Sequence, residues 1–140
     1  MVTELDPAYL STLAQNFGFL GAFLGGVSAT VCVTLLTLTQ PSNPSRWAVG
    51  LAALAAEGFI VTAALSMTVV AQSHPQAPAF IARQASSFER LGLVFAFTIG
   101  VYSLLAAIGV SGWIRSRVLG MCMTAIALAA AIPITVNYFF

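Results

Sequence analysis

The sequence predicts an all-α membrane protein, an antiparallel four-helix transmembrane bundle with an amphipathic segment before the third span. Three observations predict this fold class. Hydrophobic residues make up 59% of the chain and charged residues only 6%, whereas about 25% of the residues in a soluble domain are charged. Four apolar runs are long enough to cross a bilayer, which takes about 20 residues. The links between the runs carry helix-terminating residues.

The four runs predict one transmembrane domain over residues 1–140, with spans at residues 17–38, 47–70, 91–110 and 118–139. Asp6-Pro7 is an N-cap and first-turn pair, so we expect the first helix to begin near Pro7. Asn43-Pro44 offers a cap for the second helix. Gly112 is suited to a left-handed cap at the end of the third. We expect the four helices to close on themselves and to leave no room for a hydrated pore.

The link over residues 72–90 is the longest, and its second half is amphipathic. This pattern predicts either a short interfacial helix or a lead-in to the third span. Ser86-x-x-Glu89 has the spacing of a capping box, which favours a new helix start there. We interpret Arg83 and Arg90 as anchors for lipid headgroups or, alternatively, as a contact surface for a partner.

Glu57 is the only acid inside a predicted span, and it lies close to the middle of the membrane. On a helix it shares a face with mostly small residues, among them Gly50 and Ala64, so a partner helix or another subunit can approach closely. We therefore expect Glu57 to be shielded from lipid. All five basic residues are arginines at span ends or in the long link, so no cation is available at that depth. We expect a protonated or partly protonated carboxyl, hydrogen-bonded to Ser28, Thr98 or Tyr102.

The hydroxyls of Thr30, Thr34 and Thr37 line one face of the first span. They have two interpretations. Threonine in a helix commonly bonds the carbonyls of its own helix. Alternatively, the three side chains form the polar wall of an ion pathway.

Several functional classes are unsupported by the residues present. The only histidine is His74, in the long link, so the spans lack haem ligands and the His, Cys and carboxylate clusters that bind zinc or iron. We find no pairing of nucleophile and base and no phosphate-binding loop. We therefore expect no metal, no cofactor and no enzymatic activity. The net charge of +1 offers no surface for nucleic acid.

Two functions remain. The first is an oligomeric ion channel or proton-coupled transporter in which Glu57 is the ion or proton site. Several copies would be needed, so this hypothesis implies a homo-oligomer. The alternative is a non-catalytic structural or accessory subunit of a larger membrane complex, in which Glu57 serves only in packing.

The arginines predict the orientation in the bilayer. With Arg46, Arg115 and Arg117 inside and Arg83 and Arg90 outside, the count favours both termini on the non-cytoplasmic side. Short loops and frequent alanine are typical of the bacterial inner membrane.

Overall fold

The computed structural model describes residues 7–38, 40–73 and 87–139 and contains four α-helices. They are α1 (Pro7–Leu38), α2 (Asn43–Ser73), α3 (Ser87–Arg115) and α4 (Arg117–Phe139). Each is long and apolar enough to cross a membrane. The predicted class of an all-helical protein with four membrane-spanning helices is confirmed.

The helix starts follow from local sequence. α1 runs from Pro7, the first residue that the structure describes, and its predicted cap Asp6 lies outside the described residues. α2 begins at Asn43, and its cap is formed by a reciprocal pair of serines: Ser42 Oγ accepts from Ser45 N (3.3 Å), and Ser45 Oγ accepts from Ser42 N (2.8 Å). α3 begins at Ser87. Residues 74–86, which include Arg83 and most of the predicted amphipathic segment, lie outside the described residues.

A one-residue break at Ser116 separates α3 from α4, and Ser116 Oγ caps α4 by accepting from Leu119 N (3.1 Å). The prediction of a left-handed cap at Gly112 is wrong, because α3 continues to Arg115 and no described glycine has a positive φ. Gly112 instead permits close packing. A Cβ there would lie 2.8 Å from the carbonyl oxygen of Leu119.

The four helices pack in chain order. α2 contacts both α1 and α3, whereas α4 contacts only α3 within the described part of the chain. α1 and α3 meet at the edge-to-face pair of Phe17 and Phe97, whose ring centroids are 4.9 Å apart. The bundle is therefore open, and the expectation that four helices close on themselves is wrong. The physical reason is that α3 uses opposite faces for its two neighbours, Gly100 toward α2 and Gly109 toward α4.

Contacts along neighbouring helices run in opposite order. Gly18 of α1 packs on Ser66 of α2, whereas Cys32 lies farther along α1 and its Sγ is 3.8 Å from the carbonyl oxygen of Val49. Between α3 and α4, Tyr102 bonds Thr135 (2.6 Å), and Trp113 Nε1 donates to Thr124 Oγ1 (3.1 Å).

The tightest contact lies between α2 and α3. A Cβ at Gly58 would lie 2.9 Å from the carbonyl oxygen of Ala96 and 3.0 Å from the nitrogen of Gly100. A Cβ at Gly100 would lie 2.9 Å from the ring of Phe59, which is fully buried. Small residues thus bring the two backbones together, as is usual between membrane helices.

We expect Gly58→Ala to destabilise the chain by about 1–3 kcal/mol, because the new methyl group meets rigid backbone of α3. The free energy of unfolding in detergent measures the effect. Gly26→Ala is the matched control. A Cβ at Gly26 meets nothing within 4 Å, so this variant should be neutral or up to about 1 kcal/mol more stable through helix propensity. Equal destabilisation by both variants would contradict the packing described.

Candidate functional site

Glu57 lies on the exposed face of α2. Its neighbour two residues along, Phe59, is fully buried, and two residues correspond to about 200° around a helix. α1 and α3 occupy the other faces of α2, and α4 does not contact α2 in the described structure. The described helices of the single chain therefore leave Glu57 uncovered, and its shielding by another subunit stays a prediction. The small residues on its face indicated a close neighbour, but no helix of this chain supplies it.

The hydroxyls expected to bond Glu57 all lie elsewhere. Thr98 Oγ1 donates to the carbonyl oxygen of Val94 (2.7 Å). Tyr102 pairs with Thr135 on α4, a partner 33 residues away that no sequence spacing indicated. Ser28 is fully buried, and its Oγ has no hydrogen-bond partner. No hydrogen bond or ion pair links Glu57 to any residue that the structure describes.

Glu57 belongs to a regular stripe of exposed residues on α2. The stripe alternates in steps of three and four, the spacing at which two helices of a coiled coil meet. We call it the α2 seam; its members are Trp47, Gly50, Leu54, Glu57, Val61, Ala64, Thr68 and Ala71. Every member is exposed. A polar residue in such a seam can fix the register between helices, and Glu57, the one ionisable member of the seam, lies near its middle.

The threonines of α1 also face outward. Thr30, Thr34 and Thr37 are exposed, and each hydroxyl donates to a carbonyl of α1, at 2.9, 2.8 and 3.0 Å. The three hydroxyls therefore bond carbonyls of their own helix, as the first interpretation expected. Each oxygen still has lone pairs that could accept a hydrogen bond or contact a cation.

The outward side of α1 carries a shallow groove beside Thr30, with Gly26 at its floor and Phe23 and Val27 at its edges. Gly25 packs on Phe59 and Ile60 of α2. The groove therefore lies close to the depth of Glu57.

The remaining candidates lie at the ends of the helices. Arg90 is exposed in the first turns of α3, near Glu89, which accepts a hydrogen bond from Gln72 (3.2 Å). Among the described residues no group of three His, Cys, Asp or Glu could hold a metal ion.

The chemistry that the α2 seam offers is that of one carboxyl group, which can bind and release a proton or contact a cation. No protein-family model, curated protein or solved structure matches the chain.

Replacing Glu57 by leucine should leave the stability of the isolated chain within about 0.5 kcal/mol, because the carboxyl makes no bond inside it. The free energy of unfolding, measured in detergent at a dilution that keeps the chain monomeric, tests this. Phe59→Ala is the positive control and should cost about 3–5 kcal/mol. A loss of more than about 2 kcal/mol in Glu57→Leu would reveal a bond within the chain and contradict the exposed placement.

Proposed function

We propose that the chain assembles with copies of itself into an ion channel or proton-coupled transporter in which Glu57 is the ion or proton site. The observation that carries this proposal is the placement of Glu57. It lies near the middle of α2 on the exposed α2 seam and has no partner among the described residues. An acid inside a membrane span is costly and commonly marks an ion or proton pathway.

The α2 seam supports contact between copies. An ionised acid facing lipid at the centre of a span costs about 2.5–3.5 kcal/mol on insertion scales. Covering the seam with a second copy removes the carboxyl from lipid and offers it polar neighbours. Gly50 and Ala64 stand one heptad either side of Glu57, so two backbones can approach closely there.

Several copies would also supply a pathway. The open row of helices encloses no interior of its own. Copies placed around an axis with their α2 seams together would enclose one, with Glu57 of each copy at the contact. Thr30, Thr34 and Thr37 lie on the side of α1 that faces away from α2, so they would form a polar wall where a further copy covers α1. A cation or proton bound at Glu57 neutralises the carboxylate. A neutral group costs less free energy than a charged one in a medium of low dielectric.

We further propose an antiparallel arrangement, supported by the opposite order of contacts along each helix pair. That arrangement puts Arg46, Arg115 and Arg117 at one end of the molecule. The positive-inside rule makes this end cytoplasmic and both termini non-cytoplasmic. The bacterial inner membrane remains our proposed location.

The alternative is an accessory subunit of a larger membrane complex. The wide exposure of the outer helices favours it, because only 17% of the most apolar stretch of α1 and 6% of that of α4 are buried. Glu57 would then pair with a donor or cation of a different protein. Arg90 and the link over residues 72–90 would form the docking surface.

Ion and proton flux into liposomes tests the transport proposal. We expect flux with the wild-type protein, and we expect Glu57→Gln to abolish it or remove its dependence on pH, because an amide cannot exchange a proton. Glu89→Gln is the matched control, since it makes the same change outside the α2 seam and should retain flux. No flux from the wild type, or equal flux from both variants, would contradict the proposal.

Cross-linking tests the contact between copies. In a chain whose own cysteines, Cys32 and Cys122, are replaced by alanine, Ala64→Cys should form a covalent dimer under mild oxidation. Ala64 belongs to the α2 seam, where Cα atoms can come within the roughly 4.4–6.8 Å that a disulfide needs. Met67→Cys is exposed on the same helix but off the seam, so it should remain monomeric. A monomeric Ala64→Cys would instead favour the accessory subunit.

A further inference from the structure

A cleft lies between the end of α1 and the hairpin of α3 and α4. Its volume is about 590 Å³. Leu35 of α1 and Ser42 of the first link form one side, and Ser111, Arg115 and Met123 form the other. The cleft exists because α4 packs on α3 alone and leaves the end of α1 uncovered on that side.

The polar groups of this cleft are basic or neutral. Arg115 is exposed, and its guanidinium has no ion-pair partner among the described residues. The chain has four acids, at positions 4, 6, 57 and 89, so the sequence from residue 90 to the C-terminus contains none. Gln40, Ser42 and Ser111 add neutral polar groups to the lining. The cleft is thus complementary to an anion at this end.

The rest of the cleft is apolar. Leu35, Leu38, Leu119 and Met123 line it beside the polar groups. Arg115 closes α3 at its last residue, while Met123 lies about two turns into α4. Arg115, Gln40 and Ser42 therefore sit at or beyond the helix ends, where headgroups lie, whereas Leu35 and Met123 extend toward the hydrocarbon. A free anion would use only the first part of this lining.

We propose that this cleft binds one anionic phospholipid, with its phosphate on Arg115 and an acyl chain along Leu35 and Met123. Arginine contacts phosphate through two parallel hydrogen bonds. The acyl chain fills the space that α1 and α4 leave between them. The site does not involve the α2 seam, so it stands independently of the transport proposal.

Native mass spectrometry of the full chain tests the site. The protein is released from nanodiscs that contain equal amounts of phosphatidylglycerol and phosphatidylcholine with identical acyl chains. We expect the wild type to retain one phosphatidylglycerol in preference to phosphatidylcholine. Arg115→Gln should reduce that retention about fivefold, the loss expected for one arginine near an anionic headgroup. Arg46→Gln is the matched control, because it removes an arginine that does not line the cleft, and it should retain the lipid.

A second variant and a competitor identify the ligand. Ser111→Phe fills part of the cleft without changing its charge, and it should also lose the bound lipid. Excess inorganic phosphate should not displace it. Equal retention of both lipids, equal losses in Arg115→Gln and Arg46→Gln, full retention in Ser111→Phe, or displacement by phosphate would each overturn the proposal.

Discussion

The structure depends on the requirement that polar groups in hydrocarbon find partners. Most side chains of the spans meet it locally: Thr62 and Ser66 are buried, and each donates to a carbonyl of α2 one turn earlier. Others meet it across helices, as Tyr102 does with Thr135. Glu57 has neither solution. The described residues provide nothing to bond the two oxygens of this carboxyl group, so we propose that its partner comes from outside the chain. Ser28, which is buried, also lacks a partner among the described residues.

The packing order explains why Glu57 faces outward. α2 is the central helix, with α1 and α3 on two of its faces. Gly58 brings the backbones of α2 and α3 so close that a Cβ there would lie 2.9 Å from the carbonyl oxygen of Ala96, and Gly100 makes room for the ring of Phe59. α4 then joins the far side of α3, through Gly112 and the one-residue break at Ser116. The third face of α2 stays open, and this face holds Glu57. The same opening of the row leaves the cleft at Arg115.

Sequence reasoning predicted the features that depend on local pattern. The four spans and the unusual position of Glu57 follow from hydropathy and helix punctuation. The sequence could not predict which neighbour covers the face of Glu57. Periodicity defines that face, but its small residues suit a helix of the same chain and a helix of another copy equally well. The sequence also could not predict that the bundle is open. The side of α3 on which α4 packs depends on the geometry at Ser116 and Gly112.

The central claim is that the α2 seam is open on the single chain and covered by a second copy in the membrane. Collision of molecular oxygen with a nitroxide at Val61→Cys, in liposomes at low and high protein density, tests it most directly. The account predicts frequent collisions in dilute, isolated chains and strong protection when chains associate. Protection at both densities would place the seam inside the chain, and exposure at both would show that no copy covers it.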